Sequence, residues 1–205
     1  MRVLVACEYS GTVRDAFSRK GHDAWSCDLL PTESELTTKE GKHIQGSCLG
    51  VLDQGWDLMI GHPPCTYLAV SGACHFNKPG RREKQLEAIE FFKALYNAPI
   101  PKIALENPVD RIPTVFRKPD QYIQPYEHGH EAMKKTGLWL KGLSKLTPTN
   151  IVDKGEIWVQ KDGKRRGSRW HMCLPPGPNR WKIRSKTFQG IADAMASQWA
   201  THDRN

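Results

Sequence analysis

A cysteine behind two prolines, Cys65 in Gly61-His62-Pro63-Pro64-Cys65, is the residue whose type and setting best suit covalent chemistry. The prolines stiffen the backbone and remove two amide donors ahead of the thiol. An apolar run, Asp57-Leu-Met-Ile-Gly61, leads directly into them. The thiol is therefore expected at the rim of a sheet; a buried, unreactive cysteine is the ordinary alternative. Glu106 is the second candidate, placed between Lys102-Ile-Ala-Leu105 and Asn107-Pro108, where a strand leaves the core. A carboxyl group in such a cleft suits a raised pKa and general acid work, whereas an exposed loop acid beside Arg111 would do neither. Third, Cys7-Glu8-Tyr9-Ser10-Gly11 joins a strand to a helix, and Asp28 ends the next strand. Nucleotide-type sites keep an acid there for ribose hydroxyls. Gly11 is the only glycine in that turn, so the dinucleotide fingerprint is absent.

The elements that must position these residues are legible in the patterning. Strands are expected at Arg2 to Cys7, His22 to Cys27, Asp57 to Gly61, Lys102 to Leu105 and Gly137 to Leu140. Helices are expected at Thr12 to Lys20, stopped by Gly21, and at Arg81 to Asn97, with Leu86, Ile89, Phe92 and Leu95 or Tyr96 on one face. A third is expected at Phe188 to Ala200, with Ile191, Met195 and Trp199 spaced four apart. Strands alternating with helices predict a parallel α/β sheet, with the polar motifs at the carboxyl ends of its strands, where open α/β sheets bind ligands. Further on, Glu156 to Gln160, the Asp162-Gly163 turn and Arg165 to Met172 predict a β-hairpin, and Leu174 to Arg180 a Pro/Gly-rich connection.

Charge singles out the same hairpin. The chain has 205 residues and a net charge of +8, and between Lys154 and Lys186 ten basic residues face two acids. That segment therefore carries the whole net charge. A basic block on a neutral body, with Trp158, Trp170 and Trp181 interleaved, fits a phosphate-rich partner; a solvated surface is the plainer alternative. Lys161, Lys164, Arg165, Arg166, Arg169 and Arg180 are the expected nucleic-acid contacts. The six cysteines are scattered without a Cys-x-x-Cys pair, so neither a disulfide framework nor a zinc site is expected. The zinc alternative would draw on Cys74-His75, His128-x-His130 and His171-x-Cys173. No stretch has the length of a membrane span, and an acid at Glu8 comes too early for a signal peptide. A cytoplasmic protein is expected.

Taken together, these residues resemble the cytosine-C5 DNA methyltransferases, and more narrowly the compact members of phage and prophage genomes. Glu8-Tyr9-Ser10-Gly11 lies where that family has its first cofactor loop, and Asp28 where it has its ribose acid. Asp57-Leu-Met-Ile-Gly-His-Pro-Pro-Cys65 is similar to the nucleophile motif, and Leu105-Glu106-Asn107-Pro108 to the Glu-Asn motif. Gly129 to Gly142 resembles the basic strand that supports the target base, and Phe188 to Met195 the closing helix of the cofactor pocket. The resemblance covers most of the chain except roughly residues 143–183.

It implies a Rossmann-like methyltransferase fold in one domain over residues 1–205, with residues 154–186 as a small basic hairpin in place of a full target-recognition domain. It further implies S-adenosylmethionine as cofactor without a metal, double-stranded DNA as partner, and a bacterial or phage-encoded source. Cys65 would attack C6 of a flipped-out cytosine, and Glu106 would engage N3 and the exocyclic amine. Lys134 and Lys135 would support the base, and Glu8, Tyr9, Ser10, Gly11, Asp28, Ser47 and Pro63 would line the cofactor pocket.

Four departures from the pattern stand out. Lysines replace the family's usual arginines at 134 and 135, losing the planar fork. The first loop is poor in glycine, and Ser47-Cys48 occupies the place of an acid that contacts adenine. Only about 45 residues separate Gly142 from the closing helix, which predicts short or relaxed sequence preference. Two other readings stay open: the same base chemistry on another nucleic acid or nucleotide, and an idle DNA-binding protein.

Overall fold

The computed structural model describes residues 1–70, 78–163 and 166–200, without the side chain of Arg166. Cys74-His75, Lys164 and Arg165 lie outside the described residues. The element order is β1 (Arg2–Ala6), α1 (Thr12–Arg19), β2 (Asp23–Asp28), α2 (Glu35–Glu40), β3 (His43–Gln45), β4 (Leu58–Gly61), α3 (Arg81–Tyr96) and β5 (Lys102–Pro108). Then follow α4 (Ile112–Val115), β6 (Gln121–Ile123), β7 (Thr136–Lys141), β8 (Ile157–Val159), β9 (Arg166–Ser168), α5 (Arg169–Met172), α6 (Arg180–Ser185) and α7 (Gln189–Trp199).

Seven strands form one sheet in the order β3-β2-β1-β4-β5-β7-β6. The pairings from β3 through to β5 are parallel. β7 runs antiparallel to both β5 and β6. This is the expected Rossmann-like α/β fold, with one reversed strand that the sequence pattern did not specify.

Strand alternation splits the core into two layers. Val3 and Val5 of β1 face a cluster with Phe17 of α1 and with Ile191, Met195 and Trp199 of α7. Leu4 and Ala6 face the opposite cluster, with Phe92 and Leu95 of α3 and Trp139 of β7. Burial on both faces explains why β1 reads as an unbroken apolar run. Arg14 is wholly buried in α1. Its Nε donates to the carbonyl of Ala24 at 2.8 Å, and its guanidinium pairs with Asp15 and Glu40.

Most expected elements stand within a residue or two of their predicted bounds. Three differ. Leu86 is 55% exposed, so the buried stripe of α3 is Ile89, Phe92 and Leu95. The hairpin is only β8 and β9, three residues each; from Arg169 the chain turns helical as α5. The Pro/Gly-rich connection gives way to a short helix, α6, at Arg180. No helix among the described residues is long and apolar enough to cross a membrane.

Candidate active site

The strand order reverses between β1 and its two neighbours, β2 and β4, and the chemistry-bearing loops gather at the carboxyl ends of these strands. β1 delivers Cys7 to Gly11, β2 ends on Asp28, β4 runs into His62-Pro-Pro-Cys65, and β5 contains Glu106. Because β7 is antiparallel, its N-terminal approach arrives at this same edge: Pro108 of β5 is registered with Thr136 of β7. That reversal brings Lys134 to the carboxylate; a parallel β7 would put it at the opposite edge.

Cys65 sits in a tight turn. Its carbonyl accepts from the amides of Leu68 and Ala69 at 2.9 and 2.8 Å. The segment after it is tied to the segment after Glu106: Val70 donates to the carbonyl of Val109 at 3.1 Å, and Arg111 to that of Leu68 at 3.2 Å. α3 grips the turn from outside, with Arg81 Nη2 on the carbonyl of Thr66 and Gln85 Nε2 on that of Tyr67, both at 2.9 Å. Burial pushes the Cys65 thiol up; Lys134 and Arg184 oppose this, and Asp110 adds to it. Asp110 is itself raised to about 6 by burial, against the amide of Ile112 and the side chain of Asn107.

Glu106 departs from expectation. It is buried, yet its carboxyl is held down at about 2. Burial alone would raise it. The Nδ1 of His62, 2.9 Å from Oε2, together with the positive charges of His62 and Lys134 and the hydroxyl of Thr187, outweighs burial. The expected rise is reversed because His62, from the end of β4, stands against the carboxyl group. Thr187 Oγ1 donates to the same oxygen at 3.2 Å, and Lys134 Nζ donates to the carbonyl of Lys186 at 3.2 Å. Lys135 is not part of this group: its ammonium lies 4.3 Å from the centroid of the Tyr122 ring.

The first loop uses several expected cofactor residues internally. Glu8 is buried, and its carboxylate accepts from the amides of Val13 at 2.7 Å and Arg14 at 3.1 Å, at the start of α1. Ser10 Oγ donates to Glu8 at 3.2 Å. Tyr9 donates its hydroxyl to the carbonyl of Lys182 at 3.0 Å, so α6 closes over the loop. Gly11 has φ 73°, and a Cβ there would stand 2.4 Å from Cβ of Ser34. Both the left-handed backbone and the close approach require glycine. Asp28 is half-buried, its pKa raised mainly by burial, and Oδ1 accepts from the amide of Leu30 at 2.9 Å. Beside it Leu29 is 73% exposed, an apolar face next to a strand-end acid. Pro63 is buried and Ser47 exposed at the same edge.

The basic block divides. Lys161 is exposed in the turn between β8 and β9. Arg169 pairs with Glu156 at 2.9 Å. Lys182 and Lys186 both pair with Glu33, at 2.7 and 2.8 Å, tying the segment to the body. Arg180 and Arg184 repel one another, and with Lys134 they reinforce the depression of His171 to about 4, where burial is the main cause. His130 Nε2 accepts from the amide of Gly190 at 2.9 Å, and His128 Nδ1 meets Thr149 at 3.1 Å. Among the described residues no group of three or more His, Cys, Asp or Glu is placed to hold a metal ion.

No protein-family model matches the chain, and no curated protein does. Among solved structures, it is similar to a protein assigned as a DNA modification methyltransferase encoded within an E. coli prophage. That match has TM-score 0.47 and 14% identity, and covers 74% of this chain and 51% of the other. It is similar also to the Entamoeba histolytica methyltransferase EhMeth, at TM-score 0.48 and 13% identity, over 73% of this chain and 57% of the other. The chain thus spans little more than half the length of either.

Proposed function

We propose that this chain is an S-adenosylmethionine-dependent DNA cytosine-C5 methyltransferase, a single domain in which residues 154–186 take the place of a recognition domain. The observation that carries this reading is the pairing of two strand ends: β4 delivers Cys65, and β5 holds the buried carboxylate of Glu106, with Lys134 acting on both.

The residues at the β1 and β2 ends fit the cofactor. Asp28 offers a carboxylate to vicinal hydroxyls and Leu29 an exposed apolar face; Gly11 lets the first loop pack against Ser34. When bound, S-adenosylmethionine supplies an electrophilic methyl group on sulfonium sulfur.

The chain's own residues do the rest. Cytosine C5 is a poor nucleophile until C6 is attacked. Cys65 gives its proton to water and forms the Sγ–C6 bond; the displaced ring electrons take up a proton at N3, and the Glu106 carboxylate accepts hydrogen bonds from that N3–H and the exocyclic amine. With S-adenosylmethionine bound, C5 of the resulting enamine would be set to accept the methyl group; water would then take the C5 proton, the thiolate would leave, and N3 would give up its proton as the ring is restored. Lys134 and Arg184 favour the thiolate that burial opposes. The target base must leave the duplex, at a cost of a few kcal/mol, which basic contacts to phosphates help offset. A hairpin of two three-residue strands offers few groove contacts, in keeping with relaxed sequence preference.

The test is incubation with S-adenosylmethionine and duplex DNA containing 5-fluorocytosine, which cannot lose its C5 substituent. A denaturant-resistant adduct is expected with wild type and none with Cys65→Ala. No adduct with wild type, or one that survives Cys65→Ala, overturns the reading. Parallel incubations with fluorinated RNA and nucleotide decide the substrate.

A further inference from the structure

His62 is used by none of these steps, yet its ring contacts the carboxylate of Glu106. It follows Gly61 at the end of β4, with its amide bonded to the carbonyl of Ala6 at 2.9 Å. Its Nδ1 meets Oε2 of Glu106 at 2.9 Å, and the exposures of the two side chains are 15% and 7%. Thr187 reaches the same oxygen at 3.2 Å. Oε2 therefore has two donors, and Oε1 has no hydrogen-bond partner among the described residues. On the ring's other side Nε2 is buried without a partner among the described residues.

We infer that His62 is a positioning residue for the base-activating carboxylate, pinning Oε2 of Glu106 so that Oε1 alone is offered to the base. This rests on the reading given under Proposed function. A carboxylate turns readily about its terminal bond because that torsion is broad; two donors on one oxygen remove the freedom. Misplacement of a reacting group by about 1 Å can cost on the order of 100-fold in rate. Three groups face the imidazole: the acids Glu106 and Glu8 favour its charged form, and Lys134 opposes it. Burial also opposes the charge, but the two acids prevail and the pKa of His62 is raised.

The experiment compares wild type, His62→Ala, His62→Asn and His62→Gln. The substrate is duplex DNA made by polymerase extension with 5-fluorodeoxycytidine triphosphate, and S-adenosylmethionine is present throughout. The rate of adduct formation is measured against DNA concentration and pH. Asparagine places an amide donor near the position of Nδ1 and cannot titrate; glutamine carries its donor too far. His62→Ala and His62→Gln are expected to lose roughly 100-fold in maximal rate, with the half-saturating DNA concentration little changed. His62→Asn should recover most of that loss, because its amide donates to Oε2 where Nδ1 did. If His62→Ala does not fold, the contrast between Asn and Gln carries the test. Adduct in wild type with an equal rate in His62→Gln, or a His62→Asn as slow as His62→Gln at every pH, overturns this inference alone. A folded wild type that forms no adduct overturns both readings.

Discussion

Nδ1 of His62 lies 2.9 Å from Oε2 of Glu106, across the carboxyl ends of the neighbouring strands β4 and β5. The contact joins the Pro-Pro-Cys loop to the Glu-Asn-Pro strand through side chains, beside the backbone bonds between 68–70 and 109–111. The pKa of His62 is raised and that of Glu106 lowered, which makes the pair sensitive to pH in both directions.

The stability of this pair has a defined window. The pKa of His62 is raised, so its contribution is complete below the ordinary histidine value and disappears as pH rises through the folded value. Glu106 is lowered to about 2, so its contribution is present above the ordinary carboxylate value and disappears as pH falls toward 2. Urea unfolding from pH 3 to pH 9 should show wild type losing stability relative to Glu106→Gln at the alkaline end. Parallel curves across that range would contradict the pairing.

Lys134 and Lys135 should separate cleanly. Lys134→Ala removes a cation that favours the Cys65 thiolate, so the thiol pKa rises and the adduct rate falls, by roughly 10-fold or more near neutral pH. The rising limb of the pH–rate profile should move to higher pH. Lys135→Ala, whose ammonium sits over Tyr122, should cost several-fold less. Equal losses in the two variants would put Lys135 back in the site.

DNA binding should report which basic residues are available. If Arg180 contacts a phosphate, Arg180→Ala lowers the slope of log affinity against log salt by about one. Lys182 already pairs with Glu33 at 2.7 Å, so Lys182→Ala should lower it by less. Fluorescence anisotropy on a labelled duplex at several salt concentrations measures both. A larger change from Lys182 than from Arg180 would mean that α6 detaches when DNA binds.

The fold has its own sensitive point at Arg14. Its side chain is wholly buried, bonded to the carbonyl of Ala24 and paired with Asp15 and Glu40. Truncation leaves those partners without their cation, and breaking such a buried pair costs about 3–5 kcal/mol. Arg14→Ala should lower the urea midpoint accordingly; a loss below about 1 kcal/mol would show that the neighbours relax around the gap.

The sequence by itself determined the elements that carry the chemistry. Apolar runs at β1, β4 and β5 and four-residue spacing in α7 follow from local periodicity, and so does the placing of Cys65 after β4 and of Asp28 at the end of β2; Glu106 was expected just beyond β5 and lies within it. Short elements such as α2, β3 and α6 were not legible, because three to six residues hold too little periodicity to stand out from loop. Glu8, Ser10 and Tyr9 were read as cofactor contacts, yet much of their hydrogen bonding goes to the start of α1 and to α6. Only the tertiary structure decided what surrounds Glu106. Its neighbours His62, Lys134 and Thr187 come from three separate parts of the chain, and Lys134 reaches it because β7 runs antiparallel to β5. Strand direction is set by packing across the whole sheet, so the sign of the Glu106 pKa shift, expected upward and found downward, could not be read from its neighbours in sequence.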